Sequence, residues 1–284
     1  MHDMASVERL ARDVRAAAET LSDREARFLV DAYYAFQEDR LRAAGRIRAM
    51  TDDNPGEPHA VIQWLEGQST TLEHQIKGAL DKYSAAHPIG RWMRSYKGVG
   101  PVISAGYLAN IQMERTDKET GQIIRTTTAG KIWMYCGLVP GKDKRKKGEK
   151  LQFNPSLKRL SWLLGGSFVK VSGDPNAFYA QVYKKRKAYE VAKNLAGDYA
   201  DQAALSLSTK KFRDDTKAKA AYEKGVLPDA RIDLRAQRYA VKLFLSHLHE
   251  TWYRHAFGEA PPAPYIMAHG GHADYIPVPR PDKD

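Results

Sequence analysis

The 284-residue chain is 43% hydrophobic and 28% charged, an ordinary balance for a soluble protein long enough to bury one large core or two modest ones. Lys and Arg outnumber Asp and Glu by 45 to 34, and the resulting charge of +11 favours polyanionic partners, through counterion release where the partner is nucleic acid. No apolar run approaches the roughly 20 residues of a membrane span, MHDMASVERLARDVRA has no apolar signal core, and the lone Cys136 excludes an internal disulfide or a cysteine-rich zinc site; a cytoplasmic protein with no membrane partner is expected.

Residues 5 to 50 read as helix, with Leu29, Ala32, Tyr33, Phe36, Ala43, Ile47 and Met50 three, four or seven apart. TDDNPGEP (51–58) is a break. Helical spacing resumes through Leu65, Leu72, Ile76, Leu80 and Tyr83 and is punctuated by AAHPIG (85–90). Two amphipathic helices joined by a turn predict a helical hairpin or coiled-coil arm over residues 1–88. Such an arm offers a surface for a homodimer or higher oligomer, but neither seam is long or pure enough to fix the state.

GRWMRSYKGVGPVISAGYLANI then reads as helix, turn, helix. QMERTDKETGQIIRTTTAGK (112–131) is polar and turn-rich, a long loop or a small hairpin around Thr120 and Gly121. KIWMYCGLVP has strand or short-helix character, GKDKRKKGEK (141–150) reads as an exposed loop, and SLKRLSWLLGGSFVKV reads as a helix weakened by Gly165 and Gly166. Residues 175 to 256 read as helical, with DQAALSLSTKKFRDDTKAKAAYEKG as one segment and VLPD (226–229) as the break. The expected fold is mainly α: the arm, a helix-hairpin-helix domain over 89–260, and an extended Pro-, Gly- and His-rich tail over 261–284.

The stretch SYKGVGPVISAGYLAN (95–110) carries the sharpest chemistry. Gly98 and Gly100 permit positive φ and close approach of a foreign backbone, and Pro101 suits the first position of a helix. Amides of Val99, Gly100, Val102 and Ile103 would then face outward at a helix N-terminus, a natural anion site. Hydrophobic–Gly–hydrophobic–Gly is the helix-hairpin-helix pattern, which grips phosphate through the main chain and reads no bases. The bland alternative is a tight turn in a helical bundle. Base-excision glycosylases of the hairpin superfamily carry a lysine after the second glycine and a later aspartate. Here Pro101, Val102 and Ile103 follow Gly100, Lys97 precedes the turn, and Asp117 in TDKET lacks the apolar company that would raise its pKa.

The order GVGPVISAGYLANI, polar segment, MYCGLVP (134–140), basic loop and a helix with Lys158 and Arg159 resembles the C-terminal domain of DEDD-type insertion-sequence transposases. That family includes Piv-type DNA invertases and bridge-RNA-guided recombinases. ARFLVDAYYAFQEDRLRAAGRIRAM (26–50) and LEHQIKGALDKYSAAHP (72–88) resemble its linker helices, and residues 235–265 its closing helix, so the likeness spans about residues 26 to 265. The resemblance implies a DNA-holding transposase-like protein. Two departures limit it: nothing resembles the family's acidic, metal-binding nuclease domain, and Lys144 and Arg145 stand where its serine nucleophile is expected after GLVP. Ser156 and Ser161 are the nearest later serines, with Ser156 the weak catalytic candidate, and no base is assigned to activate it.

Three basic elements surround the turn. Lys142, Lys144, Arg145, Lys146 and Lys147 could track a phosphate backbone, with Lys158 and Arg159 behind them; Lys184, Lys185, Arg186 and Lys187 form a further cluster beside Tyr183 and Tyr189. The bland reading of each is a solvated face. His247 and His249, two apart, cannot chelate together on a regular helix and read as structural; His255, His269 and His272 could join one of them only through a folded tail, so no metal and no cofactor are expected. Duplex or branched DNA is the expected partner. An active recombinase with a partner supplying the metal chemistry, or a structured-RNA binder, are the alternatives.

Overall fold

The computed structural model describes residues 8–54, 60–141, 147–213, 215–262 and 275–282, and over these the chain is mainly helical, as expected. The helices are α1 (Arg12–Ala17), α2 (Asp23–Asp53), α3 (Ala60–Ala86), α4 (Pro88–Arg94), α5 (Pro101–Asn110), α6 (Ala129–Tyr135), α7 (Pro155–Lys170), α8 (Phe178–Leu195), α9 (Ala200–Thr209), α10 (Lys217–Glu223) and α11 (Asp229–Phe257). Strands β1 (Glu114–Thr116) and β2 (Ile123–Arg125) pair antiparallel, with Arg115 opposite Ile124. Of the two forms open for 112–131, the chain takes the hairpin, and KIWMYCGLVP begins inside the short helix α6 rather than in a strand.

Two compact units divide the chain: residues up to Arg94 with Gly100–Gln112, and Ser95–Val99 with the residues from Met113 on. Helix α5 is apolar nearly all round and buries eight of its residues, Val102, Ser104 and Ala105 through Asn110, so it belongs to the core of the first unit rather than to a separate hairpin domain. Gly90 lets α4 close on α5: a Cβ there would meet the Ser84 carbonyl oxygen at 2.0 Å and Leu108 Cδ1 at 2.9 Å.

In the first unit, α2 starts at a capping box. Ser22 Oγ accepts from the Glu25 amide at 3.3 Å, and Glu25 Oε2 accepts from the Ser22 amide at 2.8 Å. Arg27 donates to the Ala109 carbonyl at 3.0 Å, and Arg40 pairs with buried Glu73 at 2.6 Å, which also accepts from Gln37 at 3.2 Å. The buried positions of α2 end at Tyr34 and those of α3 begin at Glu73. The far stretches of both helices therefore bury no residue fully.

The second unit is dense. Tyr179 of α8 packs against Tyr96, Phe168 and Phe244 with ring centroids 5.1 to 5.4 Å apart. Gly165 brings α7 close to α11, since a Cβ there would lie 3.2 Å from Gln237 Cβ. Around α9 and α10, Tyr199, Ala203, Tyr222, Leu227 and Ile232 form a smaller core. The segment read as helical over 201–225 holds two helices, α9 and α10. Thr216 caps α10 by accepting from the Lys219 amide at 3.3 Å, which starts a new helix instead of continuing α9.

Candidate nucleic-acid interface

Gly98 has φ +89°, in the left-handed region, and a Cβ there would lie 3.1 Å from Phe168 Cδ1 and 3.3 Å from Val171 Cγ2. Its carbonyl accepts from Ser167 Oγ at 2.6 Å. Gly100 is different. Its φ of −98° and ψ of 174° suit any residue, so of the two glycines only Gly98 uses the positive φ open to both, and nothing lies within 4 Å of a Cβ built at Gly100. Gly100 is the N-cap of α5 and offers no side-chain cap, and Pro101 takes the first position as read. Val102 and Ile103 supply the next two amides, and the first helical bond runs from the Ser104 amide to the Gly100 carbonyl at 3.0 Å.

Two members of the expected grip are engaged within the protein. The Val99 amide donates to the Tyr96 carbonyl at 3.2 Å, and its side chain is buried. The Lys97 amide donates to Asp282 Oδ2 at 3.1 Å, and its ammonium pairs with Asp174 at 2.7 Å, which holds the Asp174 carboxyl below the usual carboxylate range. Asp117 is likewise structural: the Thr120 and Glu119 amides, each 2.9 Å from its Oδ1, lower its pKa and set the turn between β1 and β2.

Lys142, Lys144, Arg145 and Lys146 lie outside the described residues. Lys147 is exposed, as is Arg159 beside the exposed Trp162. The Lys158 ammonium lies 4.5 Å from the Phe153 ring centroid, and its stem packs under Gly137, where a Cβ would meet Lys158 Cδ at 3.0 Å. Ser156 is the second residue of α7, with its amide donating to Asn154 Oδ1 at 2.9 Å; among the described residues no basic side chain hydrogen-bonds its hydroxyl. Ser161 is buried against Cys136, whose thiol burial pushes up to about 12, far from a working thiolate.

The run Lys184–Lys187 divides. Lys184 and Lys185 are exposed, whereas Arg186 and Lys187 are half-buried and paired within the fold. Arg186 pairs with Glu190 at 2.6 Å and lies between the rings of Tyr189 and Tyr239, at 4.8 and 4.5 Å. Lys187 pairs with Asp233 at 2.7 Å, and the Tyr183 hydroxyl donates to the same carboxylate. Burial pushes the Glu190 carboxyl up, but hydrogen bonds from Tyr199, Arg235 and Arg186 outweigh it and leave it below the usual range. His247 and His249 of α11 are structural. His247 bonds the Tyr179 hydroxyl at 2.9 Å and the Ile276 carbonyl at 2.8 Å, and His249 bonds the Thr126 carbonyl at 2.8 Å. Burial lowers both pKa values. Among the described residues no group of three or more His, Cys, Asp or Glu could hold a metal; His269 and His272 lie outside them.

Two features escaped the sequence reading. Asp282 sits on the turn, and Lys242 lies 4.3 Å from the Trp133 ring, its pKa lowered by burial and by Arg238. The spacing Arg235, Arg238, Lys242 marks one basic face of α11 and was a usable signal for the second. Comparison with protein-family models, with curated proteins and with solved structures gave no match to this chain.

Proposed function

We propose that the protein holds nucleic acid, DNA first, by its phosphate backbone, as the DNA-gripping part of a transposase-like architecture without the metal-dependent half. The observation that supports this reading best is the N-terminus of α5, which its N-cap residue Gly100 leaves without a side-chain cap and which is open around a Cβ built at Gly100, in a chain of charge +11. Exposed Lys147, Arg159, Lys184 and Lys185 supply long-range attraction, while main-chain contacts set position without reading bases. The arm is the proposed self-association element: its far stretches bury nothing fully, and Leu41, Val61 and Leu65 are more than half exposed there. Among the described residues no helix is long and apolar enough to cross a membrane.

The test is binding to duplex DNA, branched DNA and structured RNA across a salt series. DNA affinity should fall log-linearly with salt, by about 0.9 in slope per phosphate contacted. Binding that ignores salt, or no binding, contradicts the reading; preference for structured RNA moves it to the RNA alternative. A covalent DNA adduct lost in Ser156→Ala would establish the displaced-serine recombinase instead.

A further inference from the structure

Helices α6, α7 and α11 all belong to the second unit, and two glycines let them close on one another. A Cβ at Gly137, just past α6, would meet Lys158 Cδ of α7 at 3.0 Å, and one at Gly165 of α7 would lie 3.2 Å from Gln237 Cβ of α11. Trp133 Nε1 donates to the Lys242 carbonyl at 2.9 Å, which ties α6 to α11. The Asn154 amide donates to the Tyr135 carbonyl at 2.8 Å, which ties α6 to the start of α7. The three helices thus share one surface, and its charge has one sign. Neither α6, nor α7, nor the stretch 234–249 of α11 contains an acidic residue.

Cations and aromatic rings alternate on this surface. The Lys242 ammonium lies 4.3 Å from the Trp133 ring centroid, and the Lys158 ammonium lies 4.5 Å from that of Phe153. Lys242 is half-buried, and among the described residues it meets no carboxylate. Burial and the Arg238 charge one turn away both lower its pKa. A cation drawn partly out of water is normally matched by an anion. Here the fold supplies none.

Two rings stand ready beside these cations. Trp162 is 64% exposed and lies one turn beyond Lys158 on the same face of α7, and Tyr135 is 44% exposed. Gly166 follows Trp162 by one more turn, and nothing lies within 4 Å of a Cβ built there. Packing requires Gly165 but not Gly166, so the helix surface next to the indole is low and open. The partner that fits is narrow in class. A protein interface keeps charge away from its apolar centre, and duplex DNA keeps its base faces stacked inside. An unpaired strand offers base faces and phosphates together.

We propose that the α6–α7–α11 surface binds single-stranded DNA, with bases stacking on Trp162 and Tyr135 and phosphates meeting Lys242 and Lys158. The inference goes beyond the duplex-backbone reading. It uses different residues, needs neither Gly98 nor Gly100, and stands whether or not that grip does.

The experiment measures binding of a fluorescently labelled oligodeoxythymidylate, which forms no duplex, across a salt series. Trp162→Ala should bind about tenfold more weakly or worse, from the loss of one stacked base, and Trp162→Phe should recover most of the affinity. Leu195→Ala, which trims a 79% exposed side chain on α8, should bind as the wild type does. Lys242→Met keeps the stem but not the charge, and should make the salt slope shallower by about 0.7. Gly100→Asp should bind the oligonucleotide as tightly as the wild type, whatever it does to duplex binding, so the two readings fail separately. Equal affinity of Trp162→Ala and wild type overturns the proposal. So does tighter binding of duplex DNA or of oligouridylate by the wild type, or a complete lack of salt-dependent binding. Should Trp162→Ala fail to fold, Tyr135→Ala decides, and undiminished binding by that variant overturns the proposal.

Discussion

Gly98 and Gly100 flank one valine and share a motif, but the fold uses them in opposite ways. At Gly98 the backbone is left-handed, aromatic and aliphatic side chains crowd the missing Cβ, and the carbonyl is taken by Ser167. At Gly100 the backbone is extended, the space for a Cβ is open, and the residue is the N-cap of a helix to which it offers no side-chain cap. The first glycine is required by folding and the second is not. A glycine that folding does not require, on an open helix N-terminus, is the better candidate for contact with a ligand.

The largest expected effect falls on the folding glycine. Gly98→Val should cost about 3 kcal/mol or more, from left-handed strain and overpacking against Phe168 and Val171, read as a lower urea midpoint. Next is Arg186→Ala, which removes one partner of the buried Glu190 while Arg235 and Tyr199 remain. It should cost about 1–3 kcal/mol, checked in the same unfolding experiment. Gly100→Asp places a favoured N-cap residue where the helix dipole welcomes negative charge, so stability should hold or rise slightly. The same carboxylate should lower DNA affinity about tenfold, or about 1.4 kcal/mol, by occupying the phosphate position.

Acid should destabilise the second unit. Burial holds the folded-state pKa values of His247 and His249 below 6.5, so below that pH the unfolded chain binds protons that the folded chain refuses. Stability of the second unit should fall as pH drops below 6.5, by at most about 1.4 kcal/mol per pH unit for each histidine. Hydrogen exchange of the second unit across pH checks this, and exchange that does not quicken below pH 6.5 contradicts it. The smallest effect is expected for Lys184→Ala with Lys185→Ala: unchanged stability, and a salt slope shallower by about 0.9 for each lysine that meets a phosphate.

Much of the architecture was legible because it is local. Helical spacing marks α2, α3 and α11, Pro101 marks the start of α5, and Gly121 marks the β1–β2 turn. What was hidden depends on partners far away in sequence. Nothing in KKRK says that Lys187 pairs with Asp233 46 residues on, or that Arg186 pairs with a glutamate shared with Arg235. Asp282 reaches the Lys97 amide across 185 residues, and a tail read as merely extended contains that contact. The burial of α5 has a signal of its own: PVISAGYLAN is apolar nearly all round, as a helix inside a packed core is.

The most direct test is the salt dependence of duplex-DNA binding by wild type and Gly100→Asp, with urea unfolding of both in parallel. The account predicts equal or slightly higher stability for Gly100→Asp, about tenfold weaker binding, and a steep salt dependence in the wild type. A folded Gly100→Asp that binds DNA as tightly as the wild type would contradict the claim that the open N-terminus of α5 grips the phosphate backbone.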